Sequence, residues 1–343
     1  MENRYLAPKP IASWRNIREG RYMDDLESFL ADHVAGRDEW VQLKNLAERL
    51  TGSKQINNVC FVDDNRLIQV QDVSLEQLQK NMNAVSVWCE NLSSEVPVDF
   101  MLAPNASWIY QDQLPSYTLT YDSVAAATMV EDILPNRVQF TNAFETLYAH
   151  RDEQVYFKSD HHWTMKGAAY AYDLLRQAWG LDADPFRYES TIMGHDFRGS
   201  TYSQAPIFGY PGEDFEVIMT PGLWATWEAE TQGKNESGTI LLEDAFKEKD
   251  QYTAFFGGNY GLVRVENPQA QQDKTLLVCK DSYANVLMPF LAEEYAHIVM
   301  IDLRYYHGGI TALAEEADRV LMLYNLDFLC TDQNFIWLQQ EVR

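Results

Sequence analysis

Short strand-type apolar runs alternate with helix-patterned segments along most of this chain, and no other feature restricts its fold as much. Val98 to Ala103 is a compact apolar run that stops at Pro104-Asn105, and Tyr121 to Leu134 is helical until Pro135. Val138 to Phe140 is strand-like, Phe144 to Ala149 a short helix, and Thr164 caps a strong helix that runs to Trp179. Thr275–Cys279, Ile298–Leu303 and Asp327–Cys330 read as three more strands. Helices are expected between them near Ala284–Glu294, interrupted at Pro289, and over Thr311–Tyr324. Strand, helix, strand in this order predicts an α/β fold around a mostly parallel sheet. Ahead of it lie two helical patterns, Met23–Asp32 and Trp40–Leu50. A hairpin then joins Asn58–Val62 to Arg66–Ile68, and Ser74 opens a helix through Leu92. The rhythm breaks between about Gln204 and Pro268, where prolines, glycines and short β-type pieces predict a β-rich insertion or cap. The expected organisation is a helical arm over 1–55 packed on an α/β domain over 56–343, with the insertion at about 204–268.

With 46% hydrophobic and 13% aromatic residues the chain is too apolar for disorder. Its 27 Lys+Arg against 51 Asp+Glu leave a net charge of −24, which opposes binding to nucleic acid or anionic lipid. Cys60, Cys89, Cys279 and Cys330 show no metal or redox spacing and read as buried thiols. The longest apolar run falls short of the roughly 20 residues of a membrane helix. Met1-Glu2-Asn3-Arg4-Tyr5-Leu6-Ala7-Pro8 reads as a start placed ahead of an already mature segment, with a signal or anchor removed; a cytosolic chain that begins here is the alternative.

Two segments carry chemistry. In Thr275-Leu276-Leu277-Val278-Cys279-Lys280-Asp281-Ser282-Tyr283 a buried strand meets a helix start at Ser282. A serine there stands at the carboxyl edge of a parallel sheet, and the free N–H groups of the following turn, at Ser282 and Tyr283, can hold an oxyanion. An ordinary helix cap has the same pattern. In Ser159-Asp160-His161-His162-Trp163-Thr164 a carboxylate and two imidazoles fall together. A serine needs a base to take its proton, and the base needs a carboxylate to fix its tautomer. In extended backbone Asp160 and His162 would face one cavity while His161 faces elsewhere. A polar loop with a helix cap, or a pair of metal-binding histidines, fits the same string, although no third ligand has obvious spacing.

Asp160-His161-His162-Trp163-Thr164 followed by Gly167-Ala168 resembles the signature of the bacterial DHHW proteins, which are SGNH-hydrolase-like and related to the alginate O-acetylation proteins. Glu2-Asn3-Arg4 with Leu6-Ala7-Pro8, Asp32-His33, Arg37-Asp38, Ala103-Pro104-Asn105, Asp281-Ser282 and Asp302-Leu303-Arg304-Tyr305-Tyr306 share in the resemblance, which spans nearly the whole chain. It implies an SGNH-hydrolase-like three-layer sandwich and a Ser282, His162, Asp160 triad. It also implies a secreted or membrane-anchored enzyme of cell-surface glycans, working beside a membrane-bound O-acyltransferase. The chain departs from ordinary SGNH hydrolases in placing its serine after the Asp/His pair, in using Asp-x-His, and in lacking recognisable Gly and Asn oxyanion blocks. Gly257-Gly258-Asn259 resembles the missing block, which makes Asn259 an oxyanion candidate, although this tripeptide is also a common turn. Arg198 and Gly199 are weaker candidates, for substrate and oxyanion respectively. Trp163 offers a sugar-stacking wall or core packing. Arg304 and Tyr305, at the same sheet edge as Ser282, offer substrate contacts or a structural ion pair.

The expectation is therefore an extracytoplasmic O-acetyltransferase or acetylesterase acting on a polysaccharide without cofactor or metal. The rival readings are a silent SGNH-fold protein that binds glycans or serves as a scaffold and, more distantly, a metal-dependent phosphoesterase.

Overall fold

Alternate residues of a strand face opposite ways, so a strand that is apolar throughout needs cover on both sides. In a computed structural model, which describes residues 7–182, 184–231 and 234–342, the central strands have that cover. Three short antiparallel strands come first, β1 (Gln55–Ile56), β2 (Val59–Phe61) and β3 (Leu67–Gln69). β4 (Val98–Ala103) and β5 (Val138–Asn142) open the main sheet. β6 (Ser190–Phe197) and β7 (Glu213–Ile218) form a separate antiparallel pair. β8 (Thr226–Thr231), β9 (Lys234–Thr239), β10 (Leu262–Glu266), β11 (Gln272–Lys280), β12 (Tyr295–Ile301) and β13 (Arg319–Asn325) complete the main sheet in the order β5-β4-β13-β11-β12-β10-β8-β9. The first five are parallel and the last three antiparallel.

Leu277 and Cys279 of β11 pack on one face with the helices Leu75–Asn91, Ser123–Ile133 and Ile310–Glu316. Leu276 and Val278 pack on the other with Met165–Trp179 and Met288–Glu294. Three layers result. From β11 the chain moves to β12 on one side and then crosses back to β13 on the other. That reversal opens a crevice at the carboxyl end of β11, the usual ligand position in such sheets.

The insertion is β-rich as expected, but β8, β9 and β10 extend the central sheet in its own plane rather than capping it. A second correction concerns the C-terminal third. Thr311–Tyr324 divides into the helix Ile310–Glu316 and β13, and Asp327–Cys330, expected as a strand, lies in the helix Leu326–Thr331. Val320 to Tyr324 is buried on both faces and carries no period that separates strand from buried helix. The Asn325 side chain accepts N–H bonds from Asp327 and Phe328, which starts the helix Leu326–Thr331 directly after the strand ends.

The helices Arg21–Asp32 and Arg37–Leu50 form near their expected bounds. Asn45 Nδ2 donates to the Pro206 carbonyl at 2.9 Å, and the Arg49 guanidinium lies 4.3 Å from the Phe61 ring centre. Of the resembling N-terminal segment, Glu2, Asn3, Arg4 and Leu6 lie outside the described residues.

Candidate active site

β11 is buried from Leu276 to Lys280, and the chain then turns sharply into the short 3-10 helix Ser282–Val286. Asp281 caps that helix: Oδ1 accepts the Tyr283 N–H at 2.9 Å, and Oδ2 accepts the Asn325 N–H at 2.8 Å, which ties the turn to the end of β13. Ser282 Oγ projects from this corner. Its backbone N–H has no acceptor among the described residues.

The second segment is a closed loop rather than extended chain. Tyr156 and Trp163 pair as an antiparallel bridge, and the Phe157 N–H donates to the His162 carbonyl at 3.2 Å. Beneath it, Arg66 Nη1 donates to the Tyr156 and Phe157 carbonyls at 3.2 Å each. Beside it, the half-buried Glu213 carboxylate accepts the N–H groups of Lys158 and Ser159 and the Ser159 hydroxyl, at 2.9, 2.8 and 2.6 Å.

The two segments meet in one line of hydrogen bonds. His162 Nε2 and Ser282 Oγ are 2.7 Å apart, and His162 Nδ1 and Asp160 Oδ1 are 2.6 Å apart. Asp160 Oδ1 also accepts the His162 N–H at 2.9 Å, and Oδ2 accepts the Ser200 N–H at 2.7 Å. Burial alone would raise the Asp160 carboxyl. The imidazoles of His162 and His161, with the bonds from His162 and Ser200, outweigh it and hold the group below the ordinary carboxylate range. The Tyr252 ring stacks on the His162 imidazole at 3.8 Å and 8°, and its hydroxyl donates to the Ser282 carbonyl at 2.9 Å. One tyrosine thus braces both His162 and Ser282.

His161 does not face elsewhere, as extended backbone would require. The loop folds tightly enough that its ring centre lies 3.8 Å from that of His162, and it lines the same cleft as Ser282. Loss of hydration and the neighbouring His162 push its imidazole down to about 4. Asp160, His161 and His162 each offer one metal-ligand atom, all within 4.8 Å of one another. In this arrangement both ring nitrogens of His162 are already engaged, by Asp160 and Ser282.

The cleft is walled by the carboxyl ends of four parallel strands: Asn105 after β4, Ser282 after β11, Arg304 after β12, and Asn325 with Asp327 after β13. Arg304 grips Asp302 through Nε and Nη2 at 2.9 and 2.6 Å, which leaves Nη1 without a partner among the described residues. Asp327 accepts the Tyr121 hydroxyl on Oδ1 at 2.6 Å. Burial pushes its carboxyl up to about 6 against that bond.

Several residues singled out in the sequence lie elsewhere. Asn259 does not line the cleft; its side-chain oxygen accepts from Lys280 Nζ at 3.0 Å, behind the serine turn. Gly199 gives its N–H to Ser159 Oγ, so it is no oxyanion donor, and its bare Cα makes room for Asp160. Tyr283 spends its N–H on Asp281, and its hydroxyl donates to the His161 carbonyl at 2.5 Å. Arg198 is held by Asp196 and the Tyr210 carbonyl, outside the cleft. Trp163 is fully buried and donates to the Tyr283 carbonyl at 2.8 Å, which is core packing, not a sugar platform. Tyr305 is exposed beside Arg304 but does not reach the cleft.

Tyr252, Ser200, Glu213 and Asp327 went unnoticed in the sequence. The first three carry no motif. For Asp327, a strand placed one segment earlier would have exposed the Asn325 capping signal beside it.

The family model described as DHHW protein matches residues 98–301. No curated protein matches the chain. Among solved structures, a DHHW family protein from Eubacterium siraeum is 20% identical with a TM-score of 0.69, covering 84% of this chain and 96% of its own. PatB1 of Bacillus cereus is 21% identical with a TM-score of 0.68, covering 81% of this chain and 98% of its own. A second PatB1 structure, with a sulfonyl adduct, is 22% identical with a TM-score of 0.69, covering 82% and 99%. Likeness at these identities establishes the fold.

Proposed function

The chain belongs to the DHHW protein family, and from that membership and the geometry of its site we propose that it is a serine acyl-ester enzyme, an O-acetyltransferase or acetylesterase of a cell-surface or extracellular polysaccharide. Its fold is of the SGNH-hydrolase-like type. The observation that carries the proposal is the line from Asp160 through His162 to Ser282, with contacts of 2.6 and 2.7 Å. These are the distances at which a base takes a hydroxyl proton while a carboxylate steadies the resulting imidazolium.

In the proposed reaction Ser282 Oγ bonds to the carbonyl carbon of an acetyl ester as its proton passes to His162 Nε2. The free Ser282 N–H donates to the developing oxyanion. Asp160, held in its charged form, stabilises the imidazolium through Nδ1–H. Collapse breaks the ester C–O bond, and the leaving alcohol takes the proton back from His162. Water or a sugar hydroxyl then attacks the acyl carbon and gives its proton to His162; as the bond to Ser282 Oγ breaks, His162 returns that proton to Oγ, and the acetyl group leaves as acetate or as a new ester. Arg304, whose Nη1 is uncommitted, is suited to hold an oxygen of the donor or acceptor. The alginate O-acetylation relationship favours transfer over hydrolysis, an extracytoplasmic location, and a membrane-bound O-acyltransferase as acetyl source.

The test is acetyl release from 4-nitrophenyl acetate by wild type and Ser282→Ala, with and without oligosaccharide acceptors and with and without a chelator. Loss of the serine should lower release by at least about 10³-fold, the scale of triad deletions. The chelator should have no effect. Release that survives Ser282→Ala would sink the proposal. Chelator-abolished turnover would move the case to a metal ion held by Asp160, His161 and His162. Acetylated acceptor would identify a transferase, and free acetate alone an esterase.

A further inference from the structure

The wall of the serine cleft that contains Gln69 and Gln71 has a second side. Gln71 also lines a larger groove next to the cleft, together with Gln55, Asn58, Tyr117 and Leu119. Tyr121 joins the two spaces. It lines the groove, while its hydroxyl donates at 2.6 Å to Asp327, which lines the cleft. The second Asp327 oxygen has no partner among the described residues, although the residue is only 7% exposed.

The chemistry of this lining is specific. The side-chain amides of Gln55, Gln69 and Gln71 make no hydrogen bond among the described residues, so each offers a donor and an acceptor to paired hydroxyls. Tyr117 is 60% exposed, and its hydroxyl accepts the Lys54 N–H at 3.2 Å, which steadies a ring open to the groove. Leu119 is 91% exposed. Flat apolar surface beside amides is what the C–H faces and hydroxyl rims of pyranose rings require. Among the described residues no Lys or Arg lines the groove, and Asp72 is the one carboxylate there. In the cleft Asp160, Asp281 and Asp327 face a single cation, Arg304, already paired with Asp302. A run of uronates would meet these carboxylates and the field of a chain with net charge −24.

We propose that this groove holds the sugar units flanking the one presented to Ser282, and that the glycan is an uncharged or amino-sugar polymer rather than a polyuronate. The inference rests on the polysaccharide reading above and adds to it a substrate class and an extended tract.

Calorimetric titration tests it with xylohexaose, cellohexaose, a chitosan hexamer and hexagalacturonate, each beside its monosaccharide. The proteins are wild type, Tyr117→Ala and Gln71→Ala, with melting curves to show that the variants fold. At least one of the first three hexamers should bind more tightly than its monosaccharide. Tyr117→Ala should weaken that binding about tenfold, and Gln71→Ala less. Hexagalacturonate should not bind even at low salt. The inference falls if only hexagalacturonate binds, if no hexamer binds, if hexamer and monosaccharide bind alike, or if neither folded variant changes the affinity. Ser282-dependent acetyl release alongside any of these results would leave the enzymatic reading standing and the groove refuted. Groove binding without such release would do the reverse.

Discussion

In β11 every residue from Leu276 to Lys280 is buried, whereas in the helix Arg37–Leu50 the apolar stripe Trp40, Leu43, Leu46 and Leu50 is exposed. The fully buried side chains of that helix are polar, Gln42 and Asn45. Both segments are regular in sequence, yet one supports Ser282 and the other presents its apolar side to solvent. The comparison teaches that periodicity announces an element and its two faces, while burial depends on what the rest of the chain brings to those faces. The serine turn stands at the end of the first kind of segment, while Arg66, Glu213 and Tyr252 brace the loop that faces it.

The comparison can be broken most directly in the core. Leu277→Ala should cost about 2–5 kcal/mol of stability by opening a cavity between β11 and its helices. Denaturant melting that shows less than 1 kcal/mol would mean the layer is looser than its packing.

Gly199→Ala probes the site at the same level of crowding. An added Cβ would lie 2.4 Å from Asp160 Cβ and Oδ2, so the carboxylate must shift. A misplacement of about 1 Å can cost on the order of 10²-fold, and the acetyl-release rate should fall by that order while the protein still folds. Unchanged turnover would show that Asp160 has more room than the structure gives it.

Asp327 sharpens the contrast through pH. Its carboxyl is raised from 3.8 to about 6 in the folded chain, so folding favours the protonated form. Its contribution to stability is therefore present at low pH and is lost as pH rises from 3.8 through about 6. Asp327→Asn should remove that slope and leave the protein about 2 kcal/mol more stable than wild type at pH 8. Parallel stability curves for the two proteins between pH 4 and 8 would count against a buried, charge-averse Asp327.

The smallest effect is expected in the arm. Trp40→Ala should change stability by less than about 0.5 kcal/mol, as exposed substitutions do. A loss of several kcal/mol would mean the stripe is covered in solution.

Much of the architecture was legible because β4, β11 and β12 are short apolar runs bounded by turn residues. Asp160, His162 and Ser282 were legible because they fall in two blocks whose residue types suit one chemistry. What lay hidden was of another kind. Val320 to Tyr324 is apolar at every position, so neither period stands out, and the strand was read as the end of a helix. His161 was misplaced because a loop closed by the Tyr156–Trp163 bridge does not obey strand alternation. Tyr252 and Glu213 act from the insertion, where nothing in the local sequence points at a histidine dozens of residues away. Gly199 matters for what it lacks, and only coordinates show what would collide.

The Trp163 indole reaches the Tyr283 carbonyl across 120 residues of sequence, and the Tyr283 hydroxyl reaches back to the His161 carbonyl. During synthesis the Asp-His loop therefore leaves the ribosome well before its serine, by roughly ten seconds at ordinary elongation rates. β4 must wait longer still, because its neighbour toward the sheet centre is β13, which follows even β11 in the chain. A nascent chain cut short of β11 thus holds Asp160 and His162 without Ser282. The line from Asp160 through His162 to Ser282 closes only when the turn after β11 meets the loop made 120 residues earlier.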